Sequence, residues 1–237
     1  MEEKLSGIVL SSIAYGENDK ILNVFTLEKG VISAKIKGVK KAGAKLKFAS
    51  EPFCFAEFII AQGKAGYTVI NASLIDSFYP IRESVFKYYA GATVLEFIKR
   101  FYRENITSSQ TFLTVVEALK KIAYDENYIS ALAEFLLKAI SQTGYGLQTY
   151  GCFECGKQPT FRVFFDYRSG AFYCQDCFNG EGREIHLQTF LALKKLENGL
   201  ALEREEGVKA LRLLEFYLDF KGEERLNSLK ELIKMLA

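Results

Sequence analysis

Apolar and polar positions follow a strand-like pattern along the first third of the chain and a helical spacing after it. Between residues 6 and 78, five short runs rich in β-branched and aromatic side chains are separated by turn-forming residues. The predicted strands are Gly7–Tyr15, Lys20–Leu27, Val31–Val39, Pro52–Ala61 and Tyr67–Ile75. Five short strands favour a small closed barrel, because closure removes exposed strand edges. We expect an OB-type barrel, with an SH3-like barrel as the alternative.

After Tyr79-Pro80, apolar residues recur at steps of three and four, which is typical of amphipathic helices. The apolar positions that predict helices run over Val85–Tyr102, Phe112–Ile122, Ile129–Ile140, Leu187–Leu196, Val208–Leu218 and Leu226–Leu236. The fold class is therefore predicted to be α+β and multidomain. Residues 1–80 form the barrel, and residues 81–237 form an all-α domain that carries an insertion at about residues 150–183.

Two CxxC pairs lie within this insertion. Eighteen residues separate the pairs, which are Cys152 with Cys155 and Cys174 with Cys177. Each CxxC turn can direct two sulfurs at one centre, and the strand-like runs Phe161–Phe165 and Arg168–Phe172 between the pairs favour a hairpin. The pattern predicts a four-cysteine zinc ribbon that holds one structural Zn²⁺ per chain. A closed cage of four thiolates leaves no position for a reactive water, so we expect no catalysis at this metal.

Other interpretations of the cysteines remain as alternatives. A redox dithiol needs only one CxxC, and a disulfide or an iron–sulfur cluster fits the spacing less well than zinc does. Haem attachment is excluded, because Gly156 and Phe178, rather than histidine, follow the two pairs. The fifth cysteine, Cys54, lies in an apolar run and is expected to be buried. The single histidine, His186, is interpreted as a surface or packing residue.

Composition indicates a globular chain with a real core. Of the 237 residues, 49% are apolar and 25% are charged. No run reaches the roughly 18 apolar residues of a membrane span, and Met1-Glu-Glu-Lys4 does not resemble a signal peptide. The expected location is the cytoplasm, where cysteines stay reduced and available to a metal.

Positive charge is concentrated near the end of the third predicted strand. The net charge is only +2, but residues 29–50 contain seven lysines and no Asp or Glu. Mobile lysines suit a phosphate backbone rather than base reading, so this segment predicts salt-sensitive nucleic-acid binding. The candidate nucleic-acid-binding residues are Lys35, Lys37, Lys40, Lys41, Lys45 and Lys47, and the aromatic neighbours that would stack on bases if exposed are Tyr15, Phe48, Phe53 and Tyr67. The alternative is a solvated loop that only keeps the barrel soluble.

No pattern in the sequence favours an enzyme. Gly38 and Gly43 have the glycine spacing of a phosphate-binding loop, but the required Lys and Ser or Thr do not follow. One histidine gives little basis for a nucleophile–base pair when four of the five cysteines are assigned to metal. We therefore predict no catalytic residues.

Several short motifs in a specific order resemble the RecO family of bacterial recombination mediators. They are Gly16-Glu-Asn-Asp19, Phe25-Thr-Leu-Glu-Lys-Gly30, Lys37-Gly-Val-Lys-Lys41 with Glu51-Pro-Phe53, and the two CxxC pairs. The resemblance covers essentially the whole chain. It implies an N-terminal OB barrel followed by a helical domain interrupted by a zinc ribbon.

The resemblance also implies a function. Members of the family bind single- and double-stranded DNA, anneal complementary strands, and help load the RecA recombinase with RecR and single-stranded DNA-binding protein. This role implies a cytoplasmic, nucleoid-associated protein. The acidic, apolar-ended tail of single-stranded DNA-binding protein would need an apolar groove with cations at its rim. The candidates are either Lys99, Arg100 and Arg103 or Lys120 and Lys121, on helices of the second domain. The alternatives are a zinc-stapled protein-interaction scaffold without direct nucleic-acid binding and, more weakly, a nucleic-acid enzyme.

Overall fold

The structure, a computed structural model, describes residues 2–64, 66–104, 106–222 and 225–236. The chain divides into two compact units, Met1–Tyr124 and Asp125–Ala237. The first unit contains the predicted barrel together with the first three helices. The predicted domain boundary after residue 80 stays a prediction, because compactness groups these helices with the barrel. None of the described helices combines the length and the apolar character needed to span a membrane.

The first unit contains a closed barrel of five strands. The strands are β1 (Glu2–Tyr15), β2 (Asp19–Thr26), β3 (Gly30–Ile36), β4 (Phe55–Gly63) and β5 (Gly66–Asp76). Their order is β1-β2-β3-β5-β4, and β4 pairs with β1 to close the sheet. All neighbouring pairs are antiparallel except β3 with β5. The prediction of a five-stranded OB-type barrel is confirmed, and apolar patterning located all five strands.

Alternate side chains of these strands fill the barrel interior. Leu22 and Val24 of β2 and Ile32, Ala34 and Ile36 of β3 all point inward and are buried. The outward positions of β3 after Val31 are Ser33 and Lys35, which places Lys35 on the outer face of the sheet. This alternation is why one strand can contribute both to the core and to a charged surface.

Three helices pack outside the barrel in the same unit. They are α1 (Pro80–Glu83), α2 (Val85–Phe101) and α3 (Ser109–Tyr124). The ring of Phe112 on α3 lies 5.5 Å from that of Phe25, and Tyr88 on α2 lies edge-on to Phe53 at 5.7 Å. The predicted helices after Pro80 are confirmed. The four-residue α1 was not predicted, because it is too short to show a periodic pattern.

The second unit contains four further helices and a small sheet. The helices are α4 (Tyr128–Gln142), α5 (Leu187–Glu197), α6 (Arg204–Lys221) and α7 (Asn227–Met235). The sheet lies between α4 and α5 in the chain and contains β6 (Val163–Asp166), β7 (Ala171–Cys174) and β8 (Arg183–Ile185), in the order β7-β6-β8. The predicted insertion into a helical domain is thus confirmed.

Aromatic contacts attach the small sheet to its own helices. The Phe165 ring on β6 lies 5.5 Å from Tyr217 of α6, and the Phe172 ring on β7 lies 5.2 Å from Phe190 of α5. Two details of the predicted hairpin are wrong. The first strand, β6, begins two residues later than predicted. The second, β7, begins three residues later, because Arg168 belongs to the turn that Asp166 closes by accepting its backbone N–H at 2.8 Å.

Candidate nucleic-acid interface and metal centre

The predicted cationic segment forms a well-anchored loop after β3, residues 37–47, which we call the lysine loop. Val39 is buried in the barrel core, and Leu46 packs against the same core. The lysine side chains between and beside these anchors point to solvent. The exposed lysines of the loop are Lys37, Lys40, Lys41, Lys45 and Lys47. Apolar residues therefore fix the backbone of the loop while the charges between them stay accessible.

The lysine loop consists of successive turns rather than an extended strand. The N–H of Lys41 donates to the carbonyl of Gly38, the N–H of Ala44 to that of Lys41, and the N–H of Lys47 to that of Ala44, each at 3.2 Å. The prediction that the strand continues to Val39 is wrong, because β3 ends at Ile36. The chain turns at Gly38 instead, whose φ of +70° lies in the left-handed region that favours glycine.

The turn between β1 and β2 lies directly beside the lysine loop. The N–H of Lys40 donates to the carbonyl of Asn18 at 3.0 Å, and the Lys40 ammonium is 3.5 Å from the carbonyl oxygen of Gly16. The N–H of Gly38 donates to Oδ1 of Asp19 at 2.9 Å. Two of the motifs that carried the family resemblance are therefore neighbours in space.

Lys35 differs from the five lysines of the loop because a carboxylate holds it. Its ammonium lies 2.9 Å from Oδ2 of Asp19 and 4.6 Å from the centre of the Tyr15 ring. The hydrogen bond from Lys35 and that from Gly38 lower the pKa of the Asp19 carboxyl below its usual range. Lys35 is therefore already paired with Asp19 before any contact with a phosphate.

No ion pair holds the five lysines of the lysine loop among the residues that the structure describes. Nearby cations without carboxylate partners repel one another and attract polyanions. Whether these lysines and Lys35 bind nucleic acid stays a prediction. The geometry provides five exposed ammonium groups, none of them in an ion pair within the described residues, that a phosphate backbone can use.

Of the four predicted stacking residues, Tyr15 is the most accessible. About half of its side chain is exposed, at 50%. Phe53 is only 2% exposed, because Tyr88 and the Arg82 guanidinium cover its ring. Phe48 and Tyr67 pack against the barrel core. Phe53 therefore does not meet the condition of exposure on which its stacking depended, and Tyr15, beside Lys35, is the ring best placed for such a contact.

The four predicted metal ligands converge at the small sheet of the second unit. The Sγ atoms of Cys152, Cys155, Cys174 and Cys177 all lie within 4.8 Å of one another. Those of Cys155 and Cys174 are 3.8 Å apart. A tetrahedron with metal–sulfur bonds of about 2.3 Å has sulfur–sulfur edges of about 3.8 Å, so the cluster has the size of a four-thiolate metal cage. All four cysteines are free thiols.

Local turns place the four thiols. Cys155 belongs to a turn in which the N–H of Gly156 donates to the carbonyl of Cys152 at 2.8 Å. Gly156 has a φ of +69°, which a residue with a side chain rarely adopts. Cys174 ends β7, and the N–H of Cys177 donates to the Cys174 carbonyl at 3.3 Å. Two tight turns thus direct both CxxC pairs at one point.

The electrostatics of the cluster suit a cation. Burial raises the pKa of the Cys152 thiol, but backbone N–H groups of Cys155, Cys174 and Glu154 outweigh it and lower that pKa to about 6. Hydrogen bonds with the Cys174 and Cys155 thiols raise the pKa of Cys177. Neighbouring thiolates repel one another, so all four ionise together only around a positive charge.

The cations predicted to meet an acidic tail lie on α2, just after it at Arg103, and on α3, and they differ in availability. Arg100 pairs with Glu96 at 2.7 Å, and Lys121 pairs with Glu117 at 2.9 Å. Lys99, Arg103 and Lys120 are exposed. Sequence reasoning missed a groove of about 330 Å³ in the second unit. Its apolar wall contains Ile185, Leu213 and Phe216, and its cations are Arg183, Lys209 and Arg212.

This groove combines residues from β8 and α5, which follow each other directly in the chain, with residues from α6. The Arg183 guanidinium lies 5.4 Å from the Phe216 ring centre. The one carboxylate in the lining, Glu184, pairs with Arg162, whose Nε donates to it at 2.8 Å. The groove therefore presents an excess of positive charge beside an apolar wall. His186, interpreted as a surface or packing residue, is exposed at its rim.

Comparison with known families agrees with this arrangement. A model described as "Recombination protein O N terminal" matches residues 1–78, and one described as "Recombination protein O C terminal" matches residues 82–230. The chain belongs to the RecO family. Membership places it among recombination and DNA repair proteins and confirms the resemblance of its motifs.

Curated RecO relatives match along most of their length. A protein named "DNA repair protein RecO" from Acetivibrio thermocellus is 27% identical over 215 residues, which cover 86% of this chain and 85% of that protein. A protein of the same name from Caldicellulosiruptor bescii is 30% identical over 212 residues, covering 85% of each chain. Within this RecO-family chain, the lysine loop and the cysteine cluster are the two features whose side chains most directly indicate what they can bind: an anion for the loop and a metal cation for the cluster.

Proposed function

We propose that the protein is a non-enzymatic recombination mediator that binds single- and double-stranded DNA and anneals complementary strands. The observation that carries this proposal is the lysine loop, whose five exposed lysines form no ion pair within the described part of the chain. OB-type barrels bind oligonucleotides on an outer sheet face and adjoining loops. Tyr15, at the end of β1, and Lys35, on the outer face of β3, lie next to the lysine loop, which supports such a contact.

Annealing requires two phosphate backbones to approach while their bases remain free to pair. The main opposing force is repulsion between phosphates, and lysines that neutralise it release bound counterions. Lysine is a flexible point charge without the planar fork by which arginine reads guanine, so it leaves base edges available. A loop with five lysines and no arginine therefore suits annealing without sequence preference.

A strand-annealing assay tests this proposal. Lys40→Ala with Lys41→Ala removes two exposed charges and should slow annealing of complementary oligonucleotides about tenfold, if each contact contributes about 0.7 kcal/mol. Lys138→Ala with Lys234→Ala removes the same charge from helices of the second unit and should anneal at the wild-type rate. Equal rates for both variants would refute a role for the lysine loop. A wild-type protein that binds no DNA would instead favour the interaction scaffold.

We further propose that the tail of single-stranded DNA-binding protein binds in the groove of the second unit, and that the protein works with RecR to load RecA. Charge complementarity supports the groove: its cations match an acidic tail, and its apolar wall matches apolar terminal residues. Arg212→Glu should weaken binding of a labelled tail peptide at least tenfold, whereas Lys138→Glu should not. Loss of binding in Lys99→Glu but not in Arg212→Glu would assign the tail to α2 instead.

We propose zinc as the metal of the cysteine cluster. Four thiolates in a small tetrahedral cage favour Zn²⁺ over harder ions, which prefer oxygen ligands. Cys152, Cys155, Cys174 and Cys177 would hold the ion, and its role would be to hold β7 and the preceding turn together. The cage would be fully coordinated, which supports a structural rather than a catalytic role.

A further inference from the structure

Asp19 is an unexpected residue at the edge of a surface proposed to bind DNA. A carboxylate there repels phosphates, so its position needs a physical reason. Its two oxygens accept from two separate parts of the chain. Oδ2 lies 2.9 Å from the ammonium of Lys35 on β3, and Oδ1 accepts the N–H of Gly38, at the start of the lysine loop, at 2.9 Å.

We propose that Asp19 is a positioning residue for DNA binding, which fixes the start of the lysine loop so that its exposed ammonium groups stay on the barrel surface beside Tyr15. This inference rests on the proposed function. Asp19 contributes no phosphate contact of its own. It acts through the backbone of Gly38 and through the side chain of Lys35.

The bond to Gly38 is important because the chain leaves the sheet there. β3 ends at Ile36, so the N–H of Gly38 has no partner in a neighbouring strand, and Asp19 supplies its acceptor. The next residue, Val39, is buried in the barrel core. A fixed Gly38 thus sets the direction in which Lys40 and Lys41 emerge.

The bond to Lys35 limits the electrostatic cost of the carboxylate. Asp19 and Lys35 form a pair with no net charge, which leaves most of the charge of the lysine loop uncompensated. The same contact holds the Lys35 ammonium 4.6 Å from the Tyr15 ring centre. Asp19 therefore organises cations and an aromatic ring while offsetting mainly the charge of Lys35.

Three variants that each remove one negative charge test the inference. Asp19→Asn retains an oxygen that can accept from Gly38, Asp19→Ala does not, and Glu17→Ala removes an exposed carboxylate from the same turn, one with no hydrogen bond or ion pair within the described residues. If charge alone mattered, all three would bind single-stranded DNA slightly more tightly than the wild type. We expect this of Glu17→Ala and Asp19→Asn, whereas Asp19→Ala should bind at least threefold more weakly and with a smaller salt dependence.

Binding by Asp19→Ala as tight as that by Glu17→Ala would overturn the inference. Thermal melting first establishes that each variant folds. If Asp19→Ala does not, Asp19→Glu replaces it: the charge is kept but the carboxylate is displaced by one methylene, and binding as tight as wild type would then contradict the inference. Lys40→Ala with Lys41→Ala is measured in parallel. If neither Asp19→Ala nor the double lysine variant changes the affinity for DNA, the proposed DNA-binding function fails as well. If the double lysine variant loses affinity and Asp19→Ala does not, only the role of Asp19 is refuted.

Discussion

At the scale of single residues, Tyr15 and Lys35 show how one face of a strand pair becomes a binding surface. Both side chains point outward from neighbouring regions of the barrel, and the ammonium of Lys35 lies over the aromatic ring. A nucleobase is large, flat and polarisable, and any of the bases can stack on an exposed tyrosine, whatever the DNA sequence. The ring would add affinity that salt screens far less than it screens phosphate contacts.

Tyr15→Ala is therefore expected to weaken binding to single-stranded DNA by about 1 kcal/mol, or about fivefold, while leaving the salt dependence unchanged. Binding titrations over a range of salt concentrations separate the two effects. Tyr79→Ala is the matched control, because Tyr79 is another exposed tyrosine of the first unit, at 60%. A salt slope that falls with Tyr15→Ala would show that the ring acts by positioning Lys35 instead of by stacking.

Sequence reasoning located the residues with distinctive chemistry but not their partners. The four cysteines were identifiable because CxxC spacing is local, and the lysines because they are clustered in the chain. The contact between Asp19 and Gly38 joins residues 19 positions apart through a β-hairpin register, which composition does not reveal. The burial of Phe53 also depends on α2, since Tyr88 covers its ring.

At the scale of elements, the cysteine cluster and the aromatic contacts stabilise the same small sheet from two sides. The strands β6, β7 and β8 have three or four residues each, too few for a stable independent sheet. Phe165 and Phe172 attach the sheet to α6 and α5, while the metal cage would fix the turn that precedes it. The sheet should therefore depend on metal for its stability.

Cys174→Ser tests this dependence. We expect purified wild-type protein to contain about one zinc per chain, and we expect the variant to lose most of it and to unfold with a free energy lower by about 4 kcal/mol or more. Metal analysis and thermal unfolding measure these quantities. Cys54→Ser is the matched cysteine control for metal content, because Cys54 lies in the barrel core and burial raises the pKa of its thiol to about 12. Equal zinc in wild type and Cys174→Ser would contradict the cage.

Helices and strands were predictable where they are long enough to show a periodic apolar pattern, and short elements were not. Helices of nine to eighteen residues and barrel strands of seven to fourteen residues were located from apolar spacing. The three-residue β8 was missed, because such a segment contains too little alternation to recognise. The omission matters, since β8 contributes Arg183 and Ile185 to the groove of the second unit.

At the scale of the whole molecule, charge is distributed so that a nearly neutral chain presents one strongly cationic loop. The net charge of +2 would by itself predict little attraction to DNA. In the first unit, Lys4, Lys20 and Lys29 are paired with Glu57, Glu51 and Glu3 respectively. The lysine loop contains no carboxylate in its own sequence. Binding should therefore follow the local charge of this loop and not the total charge.

The most direct test of this account is the dependence of DNA affinity on salt for two single-stranded oligonucleotides of unrelated sequence. The wild type should give the same steep slope of log affinity against log salt for both. Lys40→Ala with Lys41→Ala should reduce that slope by about 1.4, or about 0.7 for each lost phosphate contact, whereas Lys138→Ala with Lys234→Ala should not change it. An unchanged slope in the lysine-loop variant, or slopes that differ between the two wild-type oligonucleotides, would contradict charge neutralisation by this loop.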